Sequence, residues 1–295
     1  MDPGNWKGGT LRSSYPPAKP FLKWAGGKGQ LIDRLRKYIP LPAEGSTYFE
    51  PFLGAGAVFF ALLPARAFLS DINRPLMETY EVVRTRPSEL IRLLSELATR
   101  PDSDEYYARR KEFNELIPSI SLLGPQERIR LAALFIWLNH TCYNGLFRVN
   151  RSGLFNVPFG SAAEPSIFEP TNIKSVSKAL NRGSVKLRAL DFKEALLKAR
   201  SDDVVYLDPP YDPGGSAGGF TEYTASGFDR IDQTALADVV RDLVDRGCKV
   251  VLSNSSTPAV DGLYKGFERH TVTARRAISC IGDRRGKVKE TLVIG

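Results

Sequence analysis

The residues Asp208-Pro209-Pro210-Tyr211 follow an apolar run, Val204 to Leu207, and lead straight into Asp-Pro-Gly-Gly. A carboxylate at the end of a buried strand in an open α/β sheet lies at the crevice where such sheets bind ligands. The prolines fix φ and remove two backbone donors, leaving the Pro209 carbonyl as an acceptor. Asp208 and that carbonyl form a pair of acceptors suited to an NH2 group, and Tyr211 offers a flat face to a planar ring. Such a site fits an exocyclic amine on an aromatic base. Accepting from both N–H bonds draws the nitrogen lone pair out of ring conjugation and toward an electrophile. A helix-capping aspartate in a proline turn is the plainer reading of the same letters. Strand end, aromatic ring and glycine turn together outweigh it.

A second candidate is YFEPFLGAGAVFF, Tyr48 to Phe60, with Gly54 and Gly56 between a strand and a helix, where backbone must approach a ligand closely. Phe59 stands where a dinucleotide fingerprint has its third glycine, which argues against NAD. Asp71, at the next strand end, is placed to accept from ribose hydroxyls. Glycines and acid together read as a nucleoside site rather than a tight turn alone. FLKWAGGKGQL, Phe21 to Leu31, sets Lys23 and Lys28 among glycines, yet GGKGQ is not the GxxxxGK[ST] of a phosphate loop. Taken alone, it reads as a Gly-rich loop capping the sheet, with Trp24 in the core.

The elements that must position these groups fall into three blocks. Residues 21–73 carry a helix at 30–38, a strand end at 47–50, a helix at 57–63 and a strand at 67–69, the order of a βαβ unit. Residues 75–179 are mostly helical in pattern, as in RPSELIRLLSELATR and RIRLAALFIWLNHT. That block ends in NGLFRVNRSGLFNVPFG, which reads as a β-hairpin with the four-residue loop Asn150-Arg151-Ser152-Gly153. From Ser184 onward SVKLRALDF, DVVYLDPPY, KVVLSNSS and TLVIG are strand-like, and ALADVVRDLVDRG is an amphipathic helix stopped by Gly247. The expected fold is α/β, a Rossmann-like sheet interrupted by a helical insertion that carries a hairpin. The expected divisions are a leader at 1–20, an α/β domain at 21–74 and 180–295, and the insertion at 75–179.

Composition narrows the classes. At 42% hydrophobic and 25% charged, the 295 residues allow a sizeable core. No apolar run reaches the ~18 residues of a membrane helix, and the first 20 residues lack a secretory h-region. The cysteines Cys142, Cys248 and Cys280 are odd in number and far apart, which points to a reducing cytoplasm. With only His140 and His270, a histidine metal site or histidine-centred triad is disfavoured. A net charge of +8 suits a polyanionic partner without requiring one.

KWAGGK, EPFLGAG, DIN, YNGLFRVN with FNVPFG, and DPPY, in that order, resemble the Dam family of DNA adenine-N6 methyltransferases, in the α arrangement, from Phe21 to Gly295. DPPY alone occurs in several amino-methyltransferase classes, whereas the ordered set is specific. The resemblance implies a Rossmann-like S-adenosylmethionine methyltransferase sheet with an inserted helical target-recognition domain at 75–179. It implies S-adenosylmethionine as donor, S-adenosylhomocysteine as product, and no metal, because the sulfonium already makes the methyl electrophilic. Trp24, Gly27 and Lys28 would line the methionine end of the donor. Glu50, Phe52, Gly54 and Gly56 would shape the cofactor loop, Asp71 would hold the ribose, and Asp191 and Phe192 would bracket the adenine. Asp208, Pro209, Pro210 and Tyr211 would hold an adenine rotated out of the duplex.

On the DNA side, the resemblance implies that Arg148 reads a guanine, while Leu146 and Pro158 touch a thymine methyl. Tyr143 and Asn144 would fill the gap left by the displaced base, and Lys23 would read the outer guanine. Together they imply GATC in double-stranded DNA. Phe147 and Val149 beside Arg148 bear on stringency. Arg275, Arg276, Arg284, Arg285 and Lys287 are candidates for phosphate contacts. A cytoplasmic monomer without membrane association is expected. The alternatives are an enzyme acting on cytosine N4 or RNA adenine, and a catalytically silent DNA-binding protein. Intact Asp208 and Tyr211 argue against the last.

Overall fold

Short runs of β-branched and aromatic residues separated by helices build one seven-stranded sheet in this computed structural model. The structure describes residues 16–98, 102–160, 167–211, 228–275 and 287–295, with the backbone alone at 274–275 and 287–288. The strands are β1 (Tyr48–Glu50), β2 (Arg66–Asp71), β3 (Ser184–Ala189), β4 (Val204–Leu207), β5 (Lys249–Ser255), β6 (Glu268–Arg275) and β7 (Lys287–Ile294). Their order across the sheet is β3-β2-β1-β4-β5-β7-β6. The first five in that order pair in parallel, and β7 enters antiparallel between β5 and β6. The described helices are α1 (Ile32–Leu35), α2 (Ala57–Leu62), α3 (Arg74–Thr85), α4 (Pro87–Leu97), α5 (Ser103–Leu116), α6 (Pro125–Thr141), α7 (Pro170–Leu180), α8 (Phe192–Leu196), α9 (Arg230–Asp245) and α10 (Pro258–Leu263).

A strand's side chains alternate between faces, and the core divides accordingly. Tyr48, Val204, Tyr206, Val251 and Leu292 point to one face, and Phe49, Val205, Leu207, Val250, Leu252 and Val293 to the other. The second face is covered by α8, α9 and α10, where Leu236, Val240 and Leu243 lie on one stripe of α9. Gly247 ends that helix region with φ +81, as its position predicts. The first face continues without a break into the helices between β2 and β3. There α6 is apolar all round from Leu131 to Leu138 and sits at the centre. Its Trp137 is fully buried and donates its indole N–H to the Leu97 carbonyl at 3.0 Å.

Three expectations are corrected. The helix at 30–38 is a 3-10 turn, Lys28–Gln30, followed by the four-residue α1, because the glycines at 26, 27 and 29 resist helix on one side and Pro40 stops it on the other. Leu63 is not helical but closes α2 with φ 46, directly before Pro64. The hairpin keeps its turn but lacks a continuous ladder: only the bridges Val149↔Phe155 and Cys142↔Phe159 form. The turn itself is well made. The N–H of Gly153 donates to the Asn150 carbonyl at 2.9 Å, and Gly153 takes φ +75. The arms part because the second arm bonds to α5 instead. The side chain of Asn114 both donates to and accepts from the Phe155 backbone, and Tyr106 and Arg110 both donate to the Val157 carbonyl.

Candidate active site

The chain leaves β1 toward β2 and β3 on one side of the sheet, while β4, on the other side of β1, leads to β5. The carboxyl ends of β1 and β4 therefore flank the point where strand order reverses, the ligand crevice of open α/β sheets. Glu50, Phe52, Gly54 and Gly56 leave β1 there, Asp71 ends β2, and Asp208 to Tyr211 follow β4. The segment from Phe21 to Lys28 crosses the crevice. The Trp24 indole lies so close over Gly54 that a Cβ there would meet it at 2.7 Å, and Gly54 has φ +48. No other residue fits this position.

Asp208 pairs with the Lys28 ammonium at 2.7 Å, and Lys28 is only 3% exposed. The same Nζ donates to the Gly26 carbonyl at 2.9 Å and stands 4.7 Å from the centre of the Tyr211 ring. Burial raises the Asp208 carboxyl to about 6, with Lys28 pulling it down and Glu290 pushing it up. The Tyr211 hydroxyl lies 3.2 Å from Ser253 Oγ, which donates to Glu290 Oε2 at 3.2 Å. A parallel chain begins one residue along β5. Asn254 Nδ2 donates to Gln233 Oε1, and Gln233 Nε2 donates to the Pro210 carbonyl, each at 3.0 Å. Pro210 is thus fixed from α9.

The other half of the crevice is held by Asp71. Its two oxygens accept from Gly54 N at 3.0 Å and Asn73 N at 2.9 Å, and burial raises its carboxyl. Each oxygen keeps a second lone pair for a ligand hydroxyl. Tyr80 completes the loop by donating its hydroxyl to the Gly54 carbonyl at 3.0 Å, and a Cβ on Gly56 would press on that hydroxyl. Glu50, 3% exposed, accepts from the Tyr48 hydroxyl at 2.8 Å. Burial pushes its carboxyl to about 8, against the Tyr48 hydrogen bond that lowers it. Phe52 stacks on Phe192 at 5.5 Å, which brings the ends of β1 and β3 together. Asp191 caps its own helix by accepting from Lys193 N at 2.9 Å. Ile72, next to Asp71, is 75% exposed and offers an apolar surface that the sequence reading did not single out.

The hairpin reaches this crevice through two contacts. Phe147 stacks with Trp24 at 6.1 Å and with Phe135 at 5.4 Å. Asn139, buried at the end of α6, accepts from Lys23 N and donates to the carbonyls of Lys23 and Gly145. Gly145 is obligatory, since a Cβ there would lie 2.5 Å from the Lys23 side chain. Lys23 Nζ donates to the His140 carbonyl at 3.3 Å. Arg148 is exposed, with Nε donating to Asn156 Oδ1 at 2.8 Å. Tyr143 is 42% exposed, Asn144 takes a left-handed φ of 55, and Leu146 packs on the core. Pro158, on the facing arm, has its carbonyl bonded to Tyr143 N at 2.9 Å. Arg275 lies in β6 opposite Lys287; Arg276, Arg284 and Arg285 lie outside the described residues. Ser253, Gln233 and Glu290 were missed in the sequence reading, because they come from separate elements and share no motif with Tyr211. The buried polar run Ser253-Asn254-Ser255 at the end of an apolar strand is the signal that points to them.

A sheet in this order, with these groups at its switch point, is consistent with a methyltransferase fold. A family profile, D12 class N6 adenine-specific DNA methyltransferase, matches residues 24–278. The type II methyltransferase M.MjaIII of Methanocaldococcus jannaschii is 41% identical over 285 residues, covering 90% of this chain and 95% of its own. The type II methyltransferase M1.LlaDCHI of Lactococcus lactis subsp. cremoris is 38% identical over 275 residues, covering 93% and 94%. The DNA adenine methylase of Escherichia coli (strain K12) is 36% identical over 276 residues, covering 93% and 94%. The chain belongs to the D12 class N6 adenine-specific DNA methyltransferases and is an enzyme of that class. That membership sets aside the cytosine, RNA and non-catalytic alternatives. Among the described residues no group of acids, histidines and cysteines could hold a metal ion, and no helix is long and apolar enough to cross a membrane.

Proposed function

We propose that this enzyme transfers the methyl group of S-adenosylmethionine to N6 of an adenine rotated out of double-stranded DNA, within GATC. The observation that carries the reading is the Asp208–Lys28–Tyr211 cluster: an acceptor oxygen already gripping one N–H donor directly over an aromatic face. An adenine placed on Tyr211 would put its amino group where the Lys28 ammonium now stands beside Asp208, with the Pro209 carbonyl as the second acceptor. Both oxygens then accept from the amine, and its lone pair turns toward the donor.

The crevice fits the donor by the chemistry of its lining. Asp71 has lone pairs left for ribose hydroxyls, and Ile72, Phe52 and Phe192 supply apolar surface for an adenine, with Asp191 beside it. Trp24, Gly27 and Lys28 lie at the methionine end, and Glu50, Gly54 and Gly56 shape the loop. When bound, the donor supplies an electrophilic methyl on a sulfonium. The protein's part is alignment and a preset field of dipoles. Arg148, Leu146, Pro158 and Lys23 are the base-reading set. Tyr143 and Asn144 stand where the extruded adenine leaves a gap, and Arg275 and Arg276 are candidates for phosphates. The protein is expected to act as a monomer in the compartment that holds the DNA.

Digestion of treated plasmid tests the reading. GATC sites should become resistant to a nuclease blocked by adenine methylation there and sensitive to one that requires it. Tritium from labelled donor appearing in duplexes that lack GATC as strongly as in those that contain it would overturn the site assignment.

A further inference from the structure

Asp208 and Tyr211 are named by their motif, but nothing in the motif says what keeps the Tyr211 ring still. It follows two prolines and a strand end, and a ring that stacks on a base must not swing with its loop. The structure places a hydroxyl and a carboxyl behind it. Tyr211 OH lies 3.2 Å from Ser253 Oγ, and Ser253 Oγ donates to Glu290 Oε2 at 3.2 Å. Ser253 is fully buried on β5, and Glu290 is 6% exposed on the neighbouring β7. The two elements are locked to each other, with Ser253 opposite Leu292 and Ser255 opposite Glu290 in an antiparallel ladder. A serine hydroxyl has one proton. Spending it on Glu290 leaves Ser253 Oγ as acceptor, so the phenol must donate. The acid at the far end thereby sets the direction of the whole chain.

We propose that Ser253 and Glu290 are positioning residues for the methyl-transfer step, orienting the Tyr211 ring on which the target adenine stacks. The inference rests on the reading of Tyr211 as the stacking face. The strand carrying Glu290 is antiparallel to the rest, which lets a residue far along the chain reach the crevice from behind.

Single-turnover tritium transfer tests this, together with fluorescence of a duplex carrying 2-aminopurine at the target position, on full-length protein. Tyr211→Phe keeps the ring and loses only the hydroxyl, at a loop position where folding is safe. Tyr211→Phe, Ser253→Ala and Glu290→Gln should each slow transfer about three- to tenfold, the weight of one hydrogen bond. Tyr211→Phe combined with Ser253→Ala should be no slower than either alone, because both remove the same link. The donor KM should stay within about twofold, and the 2-aminopurine signal should change in all three. Multiplying losses in the double variant, or wild-type rate and fluorescence in Tyr211→Phe, would overturn the proposal. Tyr211→Ala separates the two levels. If it too leaves base fluorescence unchanged, the stacking reading itself fails; if it alone changes, only the brace fails.

Discussion

The crevice and the hairpin are held in opposite ways. At the crevice the central charged groups are fixed from more than one side. Lys28 touches Asp208, the Gly26 carbonyl and the Tyr211 ring, while Asp71 pins two backbone amides. At the hairpin, Arg148 stands exposed on arms joined by isolated bridges, with Asn156 as its brace. On the proposed function the difference has a reason: chemistry gains from dipoles that need not move, whereas a reader of a groove must fit a surface it meets only on binding. Substitutions in the first region should therefore lower rate, and those in the second should lower selectivity.

The sharpest test of that division is Asp208→Asn, which keeps shape and removes the charge. We expect single-turnover methyl transfer to fall on the order of 100- to 1,000-fold, with the choice among duplexes unchanged. A variant that kept its rate would break the comparison at its centre. Gly54→Ala adds a Cβ 2.7 Å from the Trp24 indole at φ +48. Overlap and backbone strain should each lower stability by about 1–3 kcal/mol in chemical denaturation, with donor affinity falling in parallel. Across the divide, Arg148→Ala should lose about 1–3 kcal/mol of discrimination at one base pair. Donor affinity, read by titration without DNA, should stay unchanged; a large loss there would mean that the hairpin is part of the donor site.

The smallest effect is a pH slope. Glu50 is raised from 4.5 to about 8 by burial, and Asp208 from 3.8 to about 6. A carboxyl raised on folding lends stability below its unfolded value and loses that contribution as pH climbs through its folded value. Both act up to about pH 6, and Glu50 acts alone from there to about pH 8. Thermal melts of the wild type should thus decline across that upper window, and Glu50→Gln, whose amide stands in for the neutral acid, should flatten the decline.

The same divide governs what could be read from sequence. The opening strand-loop-helix-strand unit and the strand-end positions of the glycine loop and DPPY were legible because each is written in adjacent residues. The ends of α1 and α2 were overextended, since Pro40 and Pro64 outweigh apolar spacing. Strand β6 went unread: it lies at the sheet edge, and its alternation of Glu, His, Val and Ala with Arg and Thr gives no purely apolar face and resembles a polar loop. The hairpin ladder was expected from alternation, yet side chains of α5 claim the backbone groups that it needed. Glu290 behind Tyr211 was beyond reach, because only the pairing of β5 with β7 brings them near.

One consequence follows from the ammonium at Asp208. An empty acceptor facing water would have to shed that water each time a base arrived. On the proposed reading the Lys28 ammonium already occupies that acceptor, and an arriving amine would take its place. Admission of the base would then depend on where Lys28 moves its charge as well as on the fit of the ring.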